Sequence, residues 1–100
     1  MAEVTIKFVG PWRLYLAADI ITLQAATVDE ALAQVEDRYG PRYHQKLLER
    51  GVQLKRRITD DSNILVNRIN IRQLHERSLK DGDHIDLIPR FVGGDRKSVV

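Results

Sequence analysis

Two adjacent glycines close to the end of the chain are the residues best suited to chemistry. Gly93 and Gly94 follow a strand-like run over residues 84–88 and then Pro89. Because glycine has no Cβ, an extended Gly-Gly segment can pass through a narrow channel and lets an enzyme approach the backbone carbonyl closely. A chain cut after Gly94 would end in a reactive carboxylate, but residues 95–100 follow and block Gly94 with a peptide bond.

Other residue types that support catalysis or metal binding show no convergent spacing. Cysteine is absent, which excludes disulfides, thiolate catalysis and zinc-finger chemistry. His44, His75 and His84 lie on three different predicted elements, so separate surface positions are favoured over a metal site. Two carboxylate pairs stand in turn-forming sequences, Asp60 with Asp61 and Asp81 with Asp83. A role in the turns explains them without acid–base catalysis.

Basic residues are numerous but almost balanced by acidic ones. Sixteen Lys and Arg residues stand against fourteen Asp and Glu residues, for a net charge of +2. A domain so close to neutrality gives weak support for nucleic-acid binding, so no nucleic-acid partner is expected. One basic set stands out: Lys55, Arg56, Arg57, Arg68, Arg72 and Arg77. We interpret this set as solvated surface, with docking to an acidic partner or to RNA as the alternatives.

Length and hydropathy predict one globular domain. One hundred residues suffice for a modest core, and a composition of 43% hydrophobic and 30% charged residues is typical of folded protein rather than of disorder. The longest apolar runs are a few residues, against roughly 20 for a membrane span. The chain begins directly with a strand pattern and shows no signal peptide, which predicts a cytoplasmic protein without a membrane partner.

Periodicity places a strand pair before the first helix. Val4, Ile6 and Phe8 alternate with outward-facing positions, which predicts a half-buried strand that ends at residues 10–11. A second strand is predicted over residues 19–25. The two strands are expected to form a hairpin on one edge of a sheet.

A capping pattern marks the start of the main helix. Thr27 and Glu30 can form a capping box, and apolar residues then recur at helical spacing: Val28, Ala31, Leu32, Val35 and Tyr39. The glycine and proline at residues 40–41 are predicted to end this helix, the first as C-cap and the second as stop. A short second helix is predicted over residues 43–50, ending at Gly51.

The second half of the chain carries the remaining strands. Residues 59–63 are typical of a turn, residues 64–67 of a short apolar strand, and Ile69 and Ile71 of a return strand. A tight turn at Asp81-Gly82 precedes the last strand over residues 84–88.

This order of elements predicts an α+β domain of the β-grasp (ubiquitin-like) type. The first and last strands would pair in parallel at the centre of a mixed sheet of four to five strands, with one main helix packed on one face. Residues 1–94 are expected to form the domain, with a flexible Gly-Gly arm from about residue 89. Residues 95–100 are expected to be an extension that is removed or disordered.

Taken together, these features resemble the ubiquitin-like sulfur carriers of the MoaD/ThiS family. The resemblance covers about residues 3–94 and depends on the spacing of four pieces: the hairpin after residues 64–66, Leu-Lys-Asp-Gly-Asp at 79–83, the strand to Pro89, and Gly93-Gly94. The overall size and the additional segment over residues 42–62 are more similar to the small subunit of molybdopterin synthase than to the shorter thiamine type.

The resemblance implies a protein co-substrate rather than an enzyme. A partner similar to ubiquitin-activating enzymes (MoeB/ThiF-like) would use ATP to adenylate the terminal glycine, which would then become a thiocarboxylate. The sulfur would pass to a synthase large subunit that assembles molybdopterin or tungstopterin; a thiazole precursor and an amino-acid derivative are the other acceptors. No bound cofactor is expected in the carrier itself, since its partner uses the ATP.

The resemblance also assigns roles to residues. Gly94 would bear the adenylate and the thiocarboxylate, and Gly93 would allow passage through the partner's channel. The arm that the partner holds would consist of Pro89, Arg90, Phe91 and Val92. A metalloprotease would release the carboxylate by cutting between Gly94 and Asp95.

Several alternatives stay open for the end of the chain. The tail over residues 95–100 is a precursor extension, a cloning remnant, or part of a diverged carrier that is never activated. The alternative functions are a ubiquitin-like modifier conjugated to lysines through Gly94 and a β-grasp binding module that is not activated. The final nucleophile would distinguish a carrier from a modifier: it is sulfide for a carrier and an amine for a modifier.

Four further positions carry specific expectations. Arg68 follows Asn67 where Asn-Gly is common in the family, and a positive φ would strain Arg68, so a longer turn is expected. Phe8 is expected in the core, and Trp12 either in the core or on a docking face. Phe91 stands beyond the last strand and is expected to anchor a partner or to fold back on the sheet.

Overall fold

The computed structural model describes residues 1–52 and 56–90, which form a mixed five-stranded sheet with a long helix on one face. The strands are β1 (Ala2–Phe8), β2 (Ile20–Ala25), β3 (Ser62–Val66), β4 (Ile69–Asn70) and β5 (Asp83–Pro89). The helices are α1 (Trp12–Leu16) and α2 (Val28–Glu49). Short 3₁₀ turns cover Thr59–Asp61 and Ile71–Gln73.

Strand pairing places the two ends of the domain side by side. The order across the sheet is β2-β1-β5-β3-β4. β1 and β5 pair in parallel at the centre, with Ile6 opposite Ile85. β2 flanks β1 and β3 flanks β5, both antiparallel. The predicted parallel pairing of the first and last strands is confirmed, so the chain leaves the sheet beside the carboxyl end of β1.

Alternation along the central strands builds the core. Val4, Ile6 and Phe8 of β1 have no exposed surface, whereas Glu3 and Lys7, at alternate positions of the same strand, face solvent. Against this face α2 packs its own apolar stripe, which includes Val28, Ala31 and Val35. Burial of a side chain as large as valine contributes about 1.5–3 kcal/mol to the stability of the fold. This packing holds α2 on one face of the sheet, and the other face is uncovered.

The start of α2 has the predicted cap with one shift. The Thr27 hydroxyl accepts a hydrogen bond from the Glu30 amide at 3.2 Å, as a capping box requires. The Glu30 carboxylate reaches one residue further back and accepts from the Ala26 amide at 2.8 Å. Both bonds satisfy amides that have no partner inside the helix.

The predicted end of this helix at residues 40–41 is wrong. α2 continues through Pro41 to Glu49, so the predicted second helix is its last part. The reason is burial of Tyr43 and Leu47, which extend the apolar stripe. A proline inside a helix costs about 3 kcal/mol, and burial of two large side chains offsets a cost of that size. The helix ends before Gly51, as predicted, where φ is +80°.

A short helix that the sequence pattern did not reveal follows β1. α1 spans only five residues, too few for a periodic signal, and it buries Trp12 and Leu16. Trp12 and Phe8 therefore both belong to the core. The Trp12 ring meets the Tyr43 ring edge to face, with centroids 4.8 Å apart, so α1 is packed against the second half of α2.

The β3–β4 hairpin turns more tightly than predicted. Val66 pairs with Ile69, which leaves a loop of only Asn67 and Arg68, with φ of 50° and 70°. Two positive φ values are what a two-residue hairpin needs to match the twist of its strands, so the expected longer turn is wrong. β4 is short, and Ile71 lies in a 3₁₀ turn rather than in the strand.

None of the helices in the described residues has the length and hydropathy needed to cross a bilayer.

Candidate functional site

Most of the predicted reactive segment lies outside the described residues. This holds for Phe91, Val92, Gly93, Gly94 and Asp95, so their assigned roles stay predictions. Pro89 and Arg90 are described, and they define the point at which the chain leaves the domain. The candidate site is therefore the base of the arm and the surfaces around it.

The base of the arm is part of the folded domain. Pro89 is buried, belongs to β5 and pairs with Ser62 of β3. The Arg90 amide donates to the Asp61 carbonyl at 2.8 Å, while the Arg90 side chain is exposed. The arm was predicted to be flexible from about residue 89, but its first two residues are held by β3 and by the turn before it.

A polar cluster fixes the residue that receives this hydrogen bond. The Tyr43 hydroxyl donates to Asp61 Oδ2 at 2.5 Å, and Arg56 Nε donates to Oδ1 and Oδ2 of the same carboxylate at 2.8 and 3.0 Å. Burial, followed by the hydrogen bond to Asp61 and its negative charge, raises the pKa of Tyr43 above its ordinary value. Tyr43 therefore remains a neutral hydrogen-bond donor at neutral pH.

The same turn is tied to both helices. Glu36 of α2 accepts from the amides of Ile58 and Thr59 at 3.0 and 2.8 Å. Ser62 accepts from the Trp12 indole at 3.0 Å and donates to the Ile58 carbonyl at 2.6 Å. The turn over Thr59–Asp61 is thus held from α1, from α2 and from β3.

The uncovered face of the sheet carries a groove at the level of the first half of β5. Its lining consists of Lys7, Ile20, Asn67, Arg68, His84 and Asp86. Ile20 exposes 55% of its surface. His84 Nε2 lies 3.1 Å from Asp86 Oδ1, an ion pair when the histidine is protonated.

The histidines suggested as metal ligands are dispersed. His44 Nε2 lies 3.0 Å from the Arg56 carbonyl on the helical side, whereas His84 lies on the uncovered sheet face. His75 follows the 3₁₀ turn after β4. Within residues 1–52 and 56–90, no three His, Asp or Glu side chains come together as a metal site would require.

The carboxylate pairs mainly stabilise turns. Asp81 accepts from the Glu3 amide and Asp83 from the Lys80 amide, both at 2.8 Å. Asp60 forms an ion pair with Arg57 at 3.1 Å. Asp61 differs because it organises the base of the arm. No local sequence pattern indicates this role of Asp61, since its partner Tyr43 lies beyond the proline that was expected to end the helix.

The basic set does not form one patch. Arg56, Arg57 and Arg77 are each engaged by an acidic residue, with Asp29 as the partner of Arg77 at 2.7 Å. Arg68 lines the groove on the uncovered face, and Arg72 lies in a 3₁₀ turn. Lys55 lies outside the described residues. Structural ion pairing therefore accounts for three of the described arginines in this set.

The sheet order, the helix crossing one face and the central exit of the last strand define a ubiquitin-like β-grasp protein. The profile of the ThiS family matches residues 6–94, and the chain belongs to that family. A comparison with curated protein sequences gave no match.

Solved structures with the same fold cover nearly all of the chain. Small archaeal modifier protein 1 from Methanosarcina acetivorans is 28% identical, with 94% of this chain and 98% of that chain covered and a TM-score of 0.68. A putative molybdopterin converting factor subunit 1 from Pyrococcus furiosus is 20% identical, with coverage of 89% and 98% and a TM-score of 0.61. Molybdopterin-converting factor from Helicobacter pylori, solved as a complex of subunits 1 and 2, is 23% identical, with coverage of 87% and 92% and a TM-score of 0.56.

Proposed function

We propose that this protein is a sulfur carrier whose Gly94 is released by removal of residues 95–100, adenylated with ATP and converted to a thiocarboxylate. The observation that carries the proposal is the family match, which ends at Gly94. The end of the family pattern coincides with the second glycine of the pair, a residue type that has no Cβ to hinder an enzyme's approach to the backbone. Sulfur donation to a molybdopterin or tungstopterin precursor is the proposed use.

The proposed chemistry asks for an activating partner rather than for catalysis by this chain. A carboxylate is a poor electrophile. Attack of the Gly94 carboxylate on the α-phosphate of ATP forms an acyl adenylate and releases pyrophosphate. Hydrosulfide then attacks the acyl carbon and displaces AMP, which leaves a thiocarboxylate that can donate its sulfur. The contribution of this domain is to present its chain end to the enzymes that act on it.

Three kinds of partner follow from this chemistry. They are an adenylyltransferase similar to ubiquitin-activating enzymes (MoeB/ThiF-like), a synthase large subunit that accepts the sulfur, and a metalloprotease that removes the tail. The Helicobacter pylori structure, a complex of subunits 1 and 2 of a molybdopterin-converting factor, supports a partner of the large-subunit type.

Intact mass spectrometry of the untagged protein, purified from its native cells, tests processing and activation together. We expect a species that ends at Gly94, part of it with one terminal oxygen replaced by sulfur. A chain that keeps residues 95–100 under every growth condition would contradict the proposal.

Gly94→Ala should abolish function because its methyl group crowds the enzyme's channel. Gly40→Ala is the matched control, since a Cβ at Gly40 meets only ordinary contacts.

The uncovered sheet face is the proposed docking surface for the large subunit. Ile20 is exposed there, and Leu65 and Ile88 on the same face are half-buried, so the face offers apolar contact beside the base of the arm. Ile20→Asp should weaken binding to the large subunit at least tenfold in calorimetry. Ile69→Asp is the control, because Ile69 is similarly exposed on the edge strand β4. Equal effects of both substitutions would refute this docking surface.

A protein modifier is the second candidate function. It is favoured by the 28% identity to small archaeal modifier protein 1 over 94% of this chain. Both functions share adenylation of Gly94 and differ in the final nucleophile. Lysine-linked adducts of this protein in native cells, lost in Gly94→Ala, would establish the modifier. A thiocarboxylate without such adducts would favour the carrier.

A further inference from the structure

The Arg90 amide is bonded to a turn that is itself locked to the longest helix. We propose that Tyr43, Arg56 and Asp61 form a latch that sets where, and in which direction, the C-terminal arm leaves the domain. Tyr43 and Asp61 would then be positioning residues for the modification of Gly94. This inference rests on the proposed function, because a defined arm matters only when an enzyme must reach the chain end.

The Asp61 side chain forms hydrogen bonds on two sides. Tyr43, from α2, donates to one carboxylate oxygen at 2.5 Å, and an Arg56 guanidinium nitrogen lies 2.7 Å from the other. Only 13% of the Asp61 side chain is exposed, whereas 45% of the Arg56 side chain is, so water screens the ion pair in part and the less exposed contact is the one with Tyr43. Asp61 is therefore fixed relative to α2, and so is its backbone carbonyl, which accepts from Arg90.

The turn needs this support because it is very short. A three-residue 3₁₀ segment has poor hydrogen-bond geometry and little stability of its own. Glu36 holds its beginning through the amides of Ile58 and Thr59, and the latch holds its end at Asp61. Loss of the latch would leave the end of the turn, and the hydrogen bond to Arg90, dependent on the β3–β5 ladder and on the hydrogen bonds of Ser62 to Trp12 and Ile58.

The short distance along the chain from Arg90 to Gly94 makes the position of Arg90 important for modification of Gly94. Gly94 follows Arg90 by four residues, which reach at most about 14 Å when fully extended. With so short a reach, the position and direction of the anchor decide where the terminal carboxylate can go. Without the hydrogen bond from the Arg90 amide to Asp61, Gly94 could occupy a larger volume. Its effective concentration in a partner's active site would then be lower.

Tyr43→Phe tests the latch with a matched control on the same helix. The substitution removes the hydroxyl that Asp61 accepts from and keeps the ring that packs on Trp12. Tyr39→Phe is the control, since the Tyr39 ring packs on Phe8 and its hydroxyl makes no hydrogen bond to another described residue. Asp61→Asn, which removes the charge and keeps the shape, is the second variant.

Hydrogen exchange is measured on the full chain, and adenylation is measured on the original protein and the variants after each has been cut at Gly94. Amide hydrogen exchange by NMR should be about tenfold faster at Arg90 in Tyr43→Phe, with the Ile85 amide in β5 unchanged. Adenylation by the activating enzyme with ATP should show a kcat several-fold lower and an unchanged KM, because docking surfaces are intact. Tyr39→Phe should match the original protein in both measurements.

Three results would overturn the inference. Unchanged exchange at Arg90 would show that the cluster does not hold the arm. Equal acceleration at Arg90 and Ile85 would show a general loss of stability. Faster exchange at Arg90 with unchanged kcat would show a latch without a positioning role. Failure of the proposed function gives a different result, because the original protein would then not be adenylated. The positioning role would be refuted with it, while hydrogen exchange at Arg90 would still show whether the latch exists.

Discussion

The continuity of α2 through Pro41 makes a strong prediction about stability. Pro41 lies inside the helix and its ring is exposed, so its replacement removes no core packing. In Pro41→Ala, the new backbone N–H can donate to the carbonyl of Asp37, four residues earlier, which a proline at this position cannot do. The substitution should therefore stabilise the domain, although proline usually restricts the unfolded chain.

The expected gain is the difference between two known effects. Proline inside a helix costs about 3 kcal/mol relative to alanine. Proline also lowers the entropy of the unfolded chain, which is worth about 0.4–1 kcal/mol of stability and is lost in the variant. The net stabilisation is about 2 kcal/mol. For a domain of this size, that gain raises Tm by about 8–16 °C.

Guanidinium and thermal unfolding followed by circular dichroism measure this gain. Pro11→Ala is the matched control, because Pro11 precedes α1 with a φ of −58°, where the proline ring fits without strain. We expect no gain from that change. If Pro41→Ala leaves Tm unchanged or lowers it, the helix would end near Gly40 and Tyr43 would not be carried on a continuous α2.

Three further changes test other parts of the structure. Arg68→Gly should raise the free energy of unfolding by about 0.5–1 kcal/mol in denaturant unfolding. The left-handed φ costs Arg68 about 1–2 kcal/mol, and the larger backbone entropy of glycine in the unfolded chain cancels part of the gain. A lower free energy of unfolding would argue against the two-residue turn. Gly40→Ala should gain about 1 kcal/mol in the same assay, since the added Cβ would lie 3.8 Å from Glu36 Oε1, an ordinary van der Waals contact; destabilisation would indicate a tighter fit. The Arg77 hydrogen bond lowers the pKa of Asp29 below 3.8, so this pair stabilises the fold above about pH 4 and its contribution disappears as pH falls through the lowered pKa. Asp29→Asn should therefore cost less than about 1 kcal/mol near neutral pH, because the pair is exposed, and nothing near pH 2; an equal cost at both pH values would contradict this.

Local patterns were sufficient for most of the fold. Alternation in β1, the capping pair Thr27 and Glu30, and the run from the Asp81-Gly82 turn into β5 each depend on neighbours close in sequence. The structure confirms all three. Their order was then enough to predict the parallel pairing of β1 with β5, because few arrangements bury one helix against such a sheet.

The errors lie where distant contacts outweigh local preference. Pro41 favours a helix end, but burial of Tyr43 and Leu47 against α1 and the sheet carries the helix onward. Arg68 disfavours a positive φ, but the β3–β4 ladder and the bonds of Asn67 to β5 hold the turn in that shape. In each case the local cost is a few kcal/mol or less, and tertiary packing supplies more.

By itself, the sequence determined that this is a β-grasp domain followed by two adjacent glycines, because strand alternation, helix capping and the glycine pair are local properties of the chain. Only the tertiary structure decided how the arm is anchored. Tyr43, Asp61 and Arg90 are far apart in sequence, and hydrogen-bond geometry at 2.5 to 2.8 Å exists only once α2, the turn before β3 and the end of β5 have packed together.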